Sequence, residues 1–160
     1  MFMKKLALSA FVVALCTPMA QADTGAAQTL FKAAPQNVAK GSADVFTGDV
    51  QVNRLFPAND TAHYSGAYVT FAPGARSAWH EHPAGQHIVV TQGTALTGTR
   101  DGKVTRVETG DSVWCPPGVE HWHGATPDAP MTHLVITGVR DGKNAVWKEH
   151  VTDAQYRGQP

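Results

Sequence analysis

The sequence predicts an all-β protein whose single domain is a jelly-roll sandwich or barrel. Short segments in which apolar and polar residues alternate follow one another along most of the chain, and such alternation is typical of half-buried strands. Turn-forming residues such as Pro57, Gly74 and Gly93 separate these segments at intervals of roughly 6–12 residues. Because helical periodicity is almost absent, the strands must bury their apolar faces against one another.

The first 22 residues have the composition of a secretory signal peptide. Lys4 and Lys5 precede an apolar run that ends at Leu15, and Ala20-Gln21-Ala22 provides the small residues of a cleavage site. The run has about ten residues, roughly half of what a bilayer crossing needs. We therefore predict cleavage after Ala22, a periplasmic or secreted location, and no membrane attachment of the mature chain.

The mature chain is predicted to contain one domain with a short extension at each end. Residues 23–44 have no clear periodicity and are interpreted as a loose N-terminal arm. The domain is expected at 45–156, and 157–160 form a tail. Nine segments of the domain are predicted as strands: 50–56, 63–71, 86–91, 95–100, 104–107, 112–115, 120–124, 132–137 and 145–151.

Turn and cap residues join these predicted strands. Asp101-Gly102 and Asp141-Gly142 are typical of tight hairpins. Thr152 or Asp153 is expected to cap a short helical turn that ends near Tyr156.

Composition excludes several classes of protein. Without Lys4 and Lys5, 11 basic residues face 13 acidic ones, and no basic patch indicates a nucleic-acid partner. Cys115 is the only cysteine after residue 22, so the mature chain cannot form an internal disulfide, and we expect this thiol to be buried and inert. All eight histidines lie in the mature part.

Two segments bring histidines together. His80 and His82 are two residues apart, so on a strand they face the same side, and Gln86 keeps that parity if the strand resumes after a kink at 83–85. In a second segment His121 and His123 also share parity. If the two segments lie side by side, His121 joins His80, His82 and Gln86, and three imidazoles with an amide oxygen suit a divalent first-row metal ion.

These segments resemble the two motifs of the cupin superfamily. The first motif is Gly-x5-His-x-His-x3-Glu-x6-Gly, and the second is Gly-x5-Pro-x-Gly-x2-His-x3-Asn. Gln86 stands where the first motif has Glu, and Ala125 stands where the second has Asn. The remaining positions match with their spacing kept: Gly74, His80, His82, Gly93, Gly110, Pro116, Gly118 and His121. The resemblance implies a single-domain cupin β-barrel.

The substitution at Gln86 bears on the chemistry. A neutral amide leaves the full charge of a divalent ion uncompensated, which strengthens it as a Lewis acid and stabilises its oxidised form less than a carboxylate would. Our hypothesis is that polarisation of a substrate oxygen is favoured over chemistry with dioxygen.

A narrower resemblance covers roughly residues 46–156 and points to the bacterial hydroxynitrile lyases, also called mandelonitrile lyases. It rests on the words Phe46-Thr-Gly, Phe71-Ala-Pro-Gly-Ala-Arg-Ser-Ala-Trp-His, His121-Trp-His-Gly-Ala, Met131-Thr-His and Trp147-x-Glu-His-Val-Thr-Asp-x-Gln-Tyr. That group has Gln at the fourth ligand position. It cleaves a cyanohydrin to a carbonyl compound and hydrogen cyanide with manganese or another divalent ion.

The resemblance therefore implies a metal-dependent carbon–carbon lyase acting on a small molecule. One divalent ion is expected, manganese first, with iron, zinc, cobalt and nickel also compatible with the ligands. His133 matches a histidine beside the metal and is the first candidate base, with His123 the second. A homodimer or homotetramer is expected. The predicted pocket residues are Tyr68, Val69, Trp122 and Thr137.

Two other functions remain open on the sequence alone. The three-histidine site also suits an iron-dependent cupin dioxygenase. An exported cupin that binds a metal or small ligand without turnover is the third hypothesis.

Overall fold

Thirteen short strands and one helical turn make up the part of the chain that the computed structural model describes, residues 27–33 and 38–159. The predicted signal peptide lies outside these residues, as do residues 23–26 and 34–37 of the predicted arm. The chain divides after Leu30; of the first unit only residues 27–30 are described, as exposed coil, and all of the strands described belong to the second unit, which begins at Phe31. The elements are β1 (Val38–Lys40), β2 (Phe46–Thr47), β3 (Val50–Phe56), β4 (Tyr64–Phe71), β5 (Arg76–Ser77), β6 (His80–Glu81), β7 (Gln86–Gln92), β8 (Thr94–Thr99), β9 (Val104–Glu108), β10 (Ser112–Cys115), β11 (His121–Ala125), β12 (Met131–Gly138), β13 (Val146–Trp147) and α1 (Asp153–Tyr156).

The strands form two antiparallel sheets. The first has the order β1-β3-β4-β12-β7-β10, and the second has the order β13-β6-β11-β5-β2, with β8 attached to β11 and β9 attached to β8. Chain neighbours such as β10 and β11 lie in different sheets, as expected of a jelly roll. The predicted all-β fold with a short C-terminal helical turn is confirmed.

Side-chain alternation places the core between the sheets. On β12 every second residue is buried, beginning with Met131, so four side chains of this strand face inward. Phe71 on β4 and Ile88 on β7 face the same interior. Two of the inward residues on β12, His133 and Thr137, are polar, and both become important for the site.

The strongest turn signals form the predicted hairpins. Asp141 and Gly142 both have positive φ, 52° and 72°, and lie between the bridged residues Arg140 and Lys143, as in a two-residue type I′ turn. The Asp101-Gly102 turn joins β8 and β9, whose register runs from Thr94 opposite Glu108.

The predicted arm differs from the structure at its end. Residues 38–40 form β1, which pairs antiparallel with residues 51–53 of β3. All three residues are exposed, so the segment lacks the apolar alternation by which strands are recognised in a sequence. Its backbone pairing covers part of an otherwise open sheet edge.

The C-terminal helical turn is held to the barrel by Arg76. The side chain of Arg76 is only 9% exposed. Its guanidinium donates to the carbonyl of Val151 at 3.0 Å and to the carboxylate of Asp153 at 2.7 Å, and it lies 4.8 Å from the ring centroid of Tyr156. Thr152 caps the turn in a capping box with Gln155, as predicted. Among the described residues, no helix has the length and apolar character needed to cross a membrane.

We expect the R76Q substitution to lower the free energy of unfolding by about 1–3 kcal/mol, because a buried carbonyl and a carboxylate lose a charged donor. Urea unfolding measures this. The matched control is R106Q: Arg106 pairs with Glu108 on the surface, where such pairs contribute about 0–1 kcal/mol. Equal losses in the two variants would contradict a special role for Arg76.

Candidate metal centre

Three buried histidines from the two motifs meet inside the barrel. One ring nitrogen from each of His80, His82 and His121 lies within 4.8 Å of the corresponding atoms of the other two. His80 on β6 is paired directly with His121 on β11, and His82 follows two residues after His80. The strand pairing predicted from the motif spacing therefore brings these three imidazoles to one point.

Each of the three rings is oriented by a backbone carbonyl. Nδ1 of His80 lies 3.0 Å from the carbonyl of Ala78, and Nδ1 of His121 lies 3.0 Å from that of Val119. Nδ1 of His82 has a short contact with the carbonyl of Asn144. Because a carbonyl only accepts, each Nδ1 carries the proton, and Nε2 keeps a lone pair directed to a ligand.

Gln86 provides a fourth buried acceptor. Its Nε2 donates to the hydroxyl oxygen of Thr137 at 2.8 Å, which fixes the amide and leaves Oε1 as the free atom. Oε1 of Gln86, Nε2 of His82 and Nε2 of His121 are buried and have no hydrogen-bond partner. Buried acceptors without donors are costly, and a divalent cation satisfies all of them, so these residues fit the predicted ion. That Gln86 is a ligand stays a prediction.

Burial keeps the three imidazoles neutral. Desolvation, followed by the nearby His121 and His82 rings, lowers the pKa of His80 well below its usual 6.5. Desolvation also lowers the pKa of His121 to about 4 and lowers that of His82. Neutral imidazole is the form that binds metals.

A second pair of histidines lies beside the cluster. Nε2 of His133 lies 3.0 Å from Nδ1 of His123, and the ring of His123 is centred 5.1 Å from that of His80. His133 is fully buried, whereas His123 is 5% exposed and lines the central cavity. Of the two predicted catalytic histidines, His123 therefore faces the cavity and His133 stands behind it.

The cluster opens into a cavity of about 870 Å³. His80, His82, Gln86 and His123 form its polar end. The predicted pocket residues Val69 and Thr137 also line it. Most of the remaining wall is apolar and comes from β2, β3, β4, β12 and β13: Phe46, Val52, Leu55, Phe56, Ala67, Val135 and Trp147.

Two predicted pocket residues lie elsewhere. Tyr68 is 37% exposed on the outer face of its sheet, and its neighbours Ala67 and Val69 line the cavity in its place. Trp122 is buried in a separate cluster with Trp79, Val151 and Tyr156. The reason is the same in both cases, because adjacent residues on a strand face opposite sides. Cys115 is buried, as expected, and desolvation raises the pKa of its thiol to about 11.

Fold and site together define a cupin, and comparison with known proteins agrees. The cupin domain family matches residues 67–137. A relative named (R)-mandelonitrile lyase, from Granulicella tundricola, is 53% identical over 118 residues, which cover 74% of this chain and 90% of the relative. The chain therefore belongs to the cupin family, and within it is similar to that lyase.

Solved structures support the same assignment. A cupin-like protein from Thermotoga maritima is 39% identical with a TM-score of 0.70, covering 74% of this chain and 90% of that one. A predicted oxalate decarboxylase from the same organism has a TM-score of 0.60 and covers 70% of this chain and 100% of its own. It is only 16% identical, so it shows the fold alone.

We expect the T137V substitution to weaken binding of a divalent metal ion about tenfold or more, because the Gln86 amide loses the acceptor that orients it. T137S keeps a hydroxyl oxygen and should bind nearly as the parent chain does. Competition with a metal-sensitive chelating dye measures both affinities. Equal affinities in T137V and T137S would contradict this orienting role.

The metal-free protein should lose stability in acid. The pKa of His121 in the folded state is about 4, below about 6.5 in the unfolded chain, so the unfolded state binds more protons between these values. The free energy of unfolding should therefore fall as pH falls from about 6.5 to about 4. Urea unfolding across this range tests the expectation, and an ion that keeps the rings deprotonated should shift the loss to lower pH. Stability that stays flat in the metal-free protein would contradict it.

Proposed function

We propose that this protein is a metal-dependent lyase of the hydroxynitrile type, which splits a cyanohydrin into an aldehyde or ketone and hydrogen cyanide. The observation that carries the proposal is His123, which is bonded to the buried His133 and lines a cavity together with His80, His82 and the amide of Gln86, beside the cluster of three imidazoles. The 53% identity to a mandelonitrile lyase supports it.

His80, His82, His121 and Gln86 would hold the ion, and manganese is the first candidate. When bound there, a divalent ion supplies Lewis acidity that lowers the pKa of a substrate hydroxyl. With four neutral ligands, these residues leave the charge of the ion uncompensated. The amide of Gln86 is thus suited to polarisation of oxygen more than to a change of oxidation state.

His123 is the proposed base. When its Nδ1–H donates to Nε2 of His133, its Nε2 has a free lone pair for the hydroxyl proton. Burial lowers the pKa of His133 to about 4, and burial with the neighbouring histidines lowers the pKa of His123 well below its usual 6.5. Both rings are therefore neutral before reaction, and the 3.0 Å contact lets them share the charge when His123 takes the proton.

Bond cleavage and proton transfer balance in this proposed reaction. As the carbon–carbon bond breaks, its electron pair leaves with cyanide, and the hydroxyl oxygen becomes the carbonyl oxygen. The imidazolium of His123 returns the proton to cyanide, so hydrogen cyanide departs as a neutral molecule. The apolar walls contributed by Val52, Val69 and Val135 exclude water from the site and receive the body of the substrate.

An iron-dependent dioxygenase is the second candidate. Three neutral imidazoles at one point suit iron as well as manganese. Gln86 counts against it, because an amide stabilises the oxidised ion less than a carboxylate does. Oxygen consumption coupled to turnover by the iron-loaded protein would favour this candidate over the lyase.

The cellular setting is also a proposal. The charged start, apolar run and small-x-small site of residues 1–22 support export to the periplasm or beyond, with cleavage after Ala22. Exposed aromatic residues on the outer sheet face, Tyr64 and Tyr68 among them, support assembly as a homodimer or homotetramer.

Manganese-loaded protein should release benzaldehyde from mandelonitrile faster than metal-free protein does, without consuming oxygen. Ultraviolet absorbance follows the aldehyde, and an oxygen electrode follows the gas. Release no faster than in the metal-free control would refute the lyase proposal.

We expect H123N to lower kcat about 10²-fold or more, because the proton acceptor is lost. H133N should lower it less, since His123 retains Nε2. The matched control is H63N, which removes an exposed histidine outside the cavity and should leave kcat unchanged. Metal content is measured for each variant, and wild-type kcat in H123N at full metal content would rule out this base.

A further inference from the structure

Resting on the proposed function, we propose that the natural substrate has a carboxylate at the end remote from its hydroxyl, and that the guanidinium of Arg54 binds it. The substrate class would be a hydroxynitrile with an apolar body and an anionic tail. Arg54 would then determine specificity without taking part in the chemistry.

The position of Arg54 follows from strand alternation. It has the same parity on β3 as Val50, which is buried, and Val52, which lines the cavity. Its cross-strand partner is Ala67, whose small side chain leaves room for a long one beside it. Arg54 is exposed to solvent, and it lines the same cavity as His80 and His82 of the histidine cluster.

The charges in the cavity are of one sign. Its lining includes Arg54 and Lys40 but no Asp or Glu. Lys40 is partly neutralised by Asp49 at 3.3 Å, whereas Arg54 has no carboxylate partner among the residues that the structure describes.

Three other arginines of this chain have carboxylate partners, whereas Arg140 and Arg157, like Arg54, have none among the described residues but lie outside the cavity. Arg76 is held by Asp153, Arg100 by Glu120 and Glu149, and Arg106 by Glu108. These pairs are structural, and their charge is already compensated. The guanidinium of Arg54 keeps its donors for a ligand.

The chemistry of the guanidinium selects the ligand. Its planar fork of N–H donors matches the two oxygens of a carboxylate. Apolar side chains such as Val52 and Val135 line the same cavity, so the ligand must have an apolar body between its two polar ends. A divalent ion at the histidine cluster would add positive potential and strengthen the preference for an anion.

Isothermal titration calorimetry on the manganese-loaded protein tests the proposal with two ligands that differ only in the tail. They are 4-(hydroxymethyl)benzoate and benzyl alcohol. At low ionic strength the parent protein should bind the carboxylate about tenfold more tightly than the alcohol, and about 0.5 M salt should reduce the preference.

Two variants assign the preference to a residue. R54Q should bind the two ligands about equally. R157Q removes the same charge from an exposed arginine outside the cavity and should keep the preference. Equal binding by the parent protein, no binding of the carboxylate, or a preference that persists in R54Q because the carboxylate binds the metal would each overturn the proposal.

The measurement is independent of turnover. If the preference depends on Arg54 but mandelonitrile is not cleaved, the lyase proposal fails and the carboxylate site stands. If mandelonitrile is cleaved but R54Q binds like the parent protein, the lyase proposal stands and the carboxylate site fails.

Discussion

The rest of the structure depends on one constraint, the burial of three neutral imidazoles. In each ring, Nδ1 is hydrogen-bonded and Nε2 is left free. The carbonyls of Ala78, Val119 and Asn144 accept from His80, His121 and His82. These contacts determine the tautomer of each ring and direct the remaining lone pairs inward. Such acceptors are unfavourable in an apolar barrel unless a cation satisfies them. Burying them therefore costs free energy in the metal-free protein, and binding of a cation would offset that cost.

The part of the site that is predictable from sequence is the part determined by local spacing. His80 and His82 share a face because of strand parity, and the same rule applies to His121 and His123. Gln86 joins them because Gly85, with a φ of 77°, lets the chain turn before β7 begins. Parity also explains the errors, since Tyr68 adjoins Val69, and Trp122 lies between two inward-facing histidines; in each case strand alternation requires the opposite face.

Contacts between residues that are distant in the chain leave no comparable pattern in the amino-acid sequence, so they could not be predicted. The carbonyl that orients His82 belongs to Asn144, 62 residues later, and a backbone acceptor is invisible in the amino-acid pattern. Thr137 orients Gln86 from 51 residues away. Several strands, such as β2, β5 and β6, are only two residues long. They are too short to be recognised from alternation of apolar and polar residues. Arg54 shares the parity of Val50 and Val52 but is exposed, and because a charged residue on a strand is usually only solvent-facing, its place in the cavity lining could not be predicted.

β12 connects the polar elements of the interior. Thr137 and His133 are both inward-facing residues of this one strand; one orients the amide of Gln86, and the other bonds to His123. Because the strand is central in its sheet, between β4 and β7, both side chains are held by pairing on two sides. Ligand orientation and the proposed base are thus supported by the same rigid element.

Charge balance then constrains what the cavity can accept. Its ligand set is neutral, its lining contains no carboxylate, and Arg54 adds a positive charge. With a divalent ion in place, no lining side chain offsets this charge, so an incoming molecule must supply the balance. In the proposed reaction, a hydroxyl that loses its proton as cyanide departs would develop negative charge at the histidine end of the cavity, where that potential would stabilise it. In the two proposals, the amide of Gln86 and the guanidinium of Arg54 therefore act in the same direction, since each would leave positive charge for a substrate to neutralise.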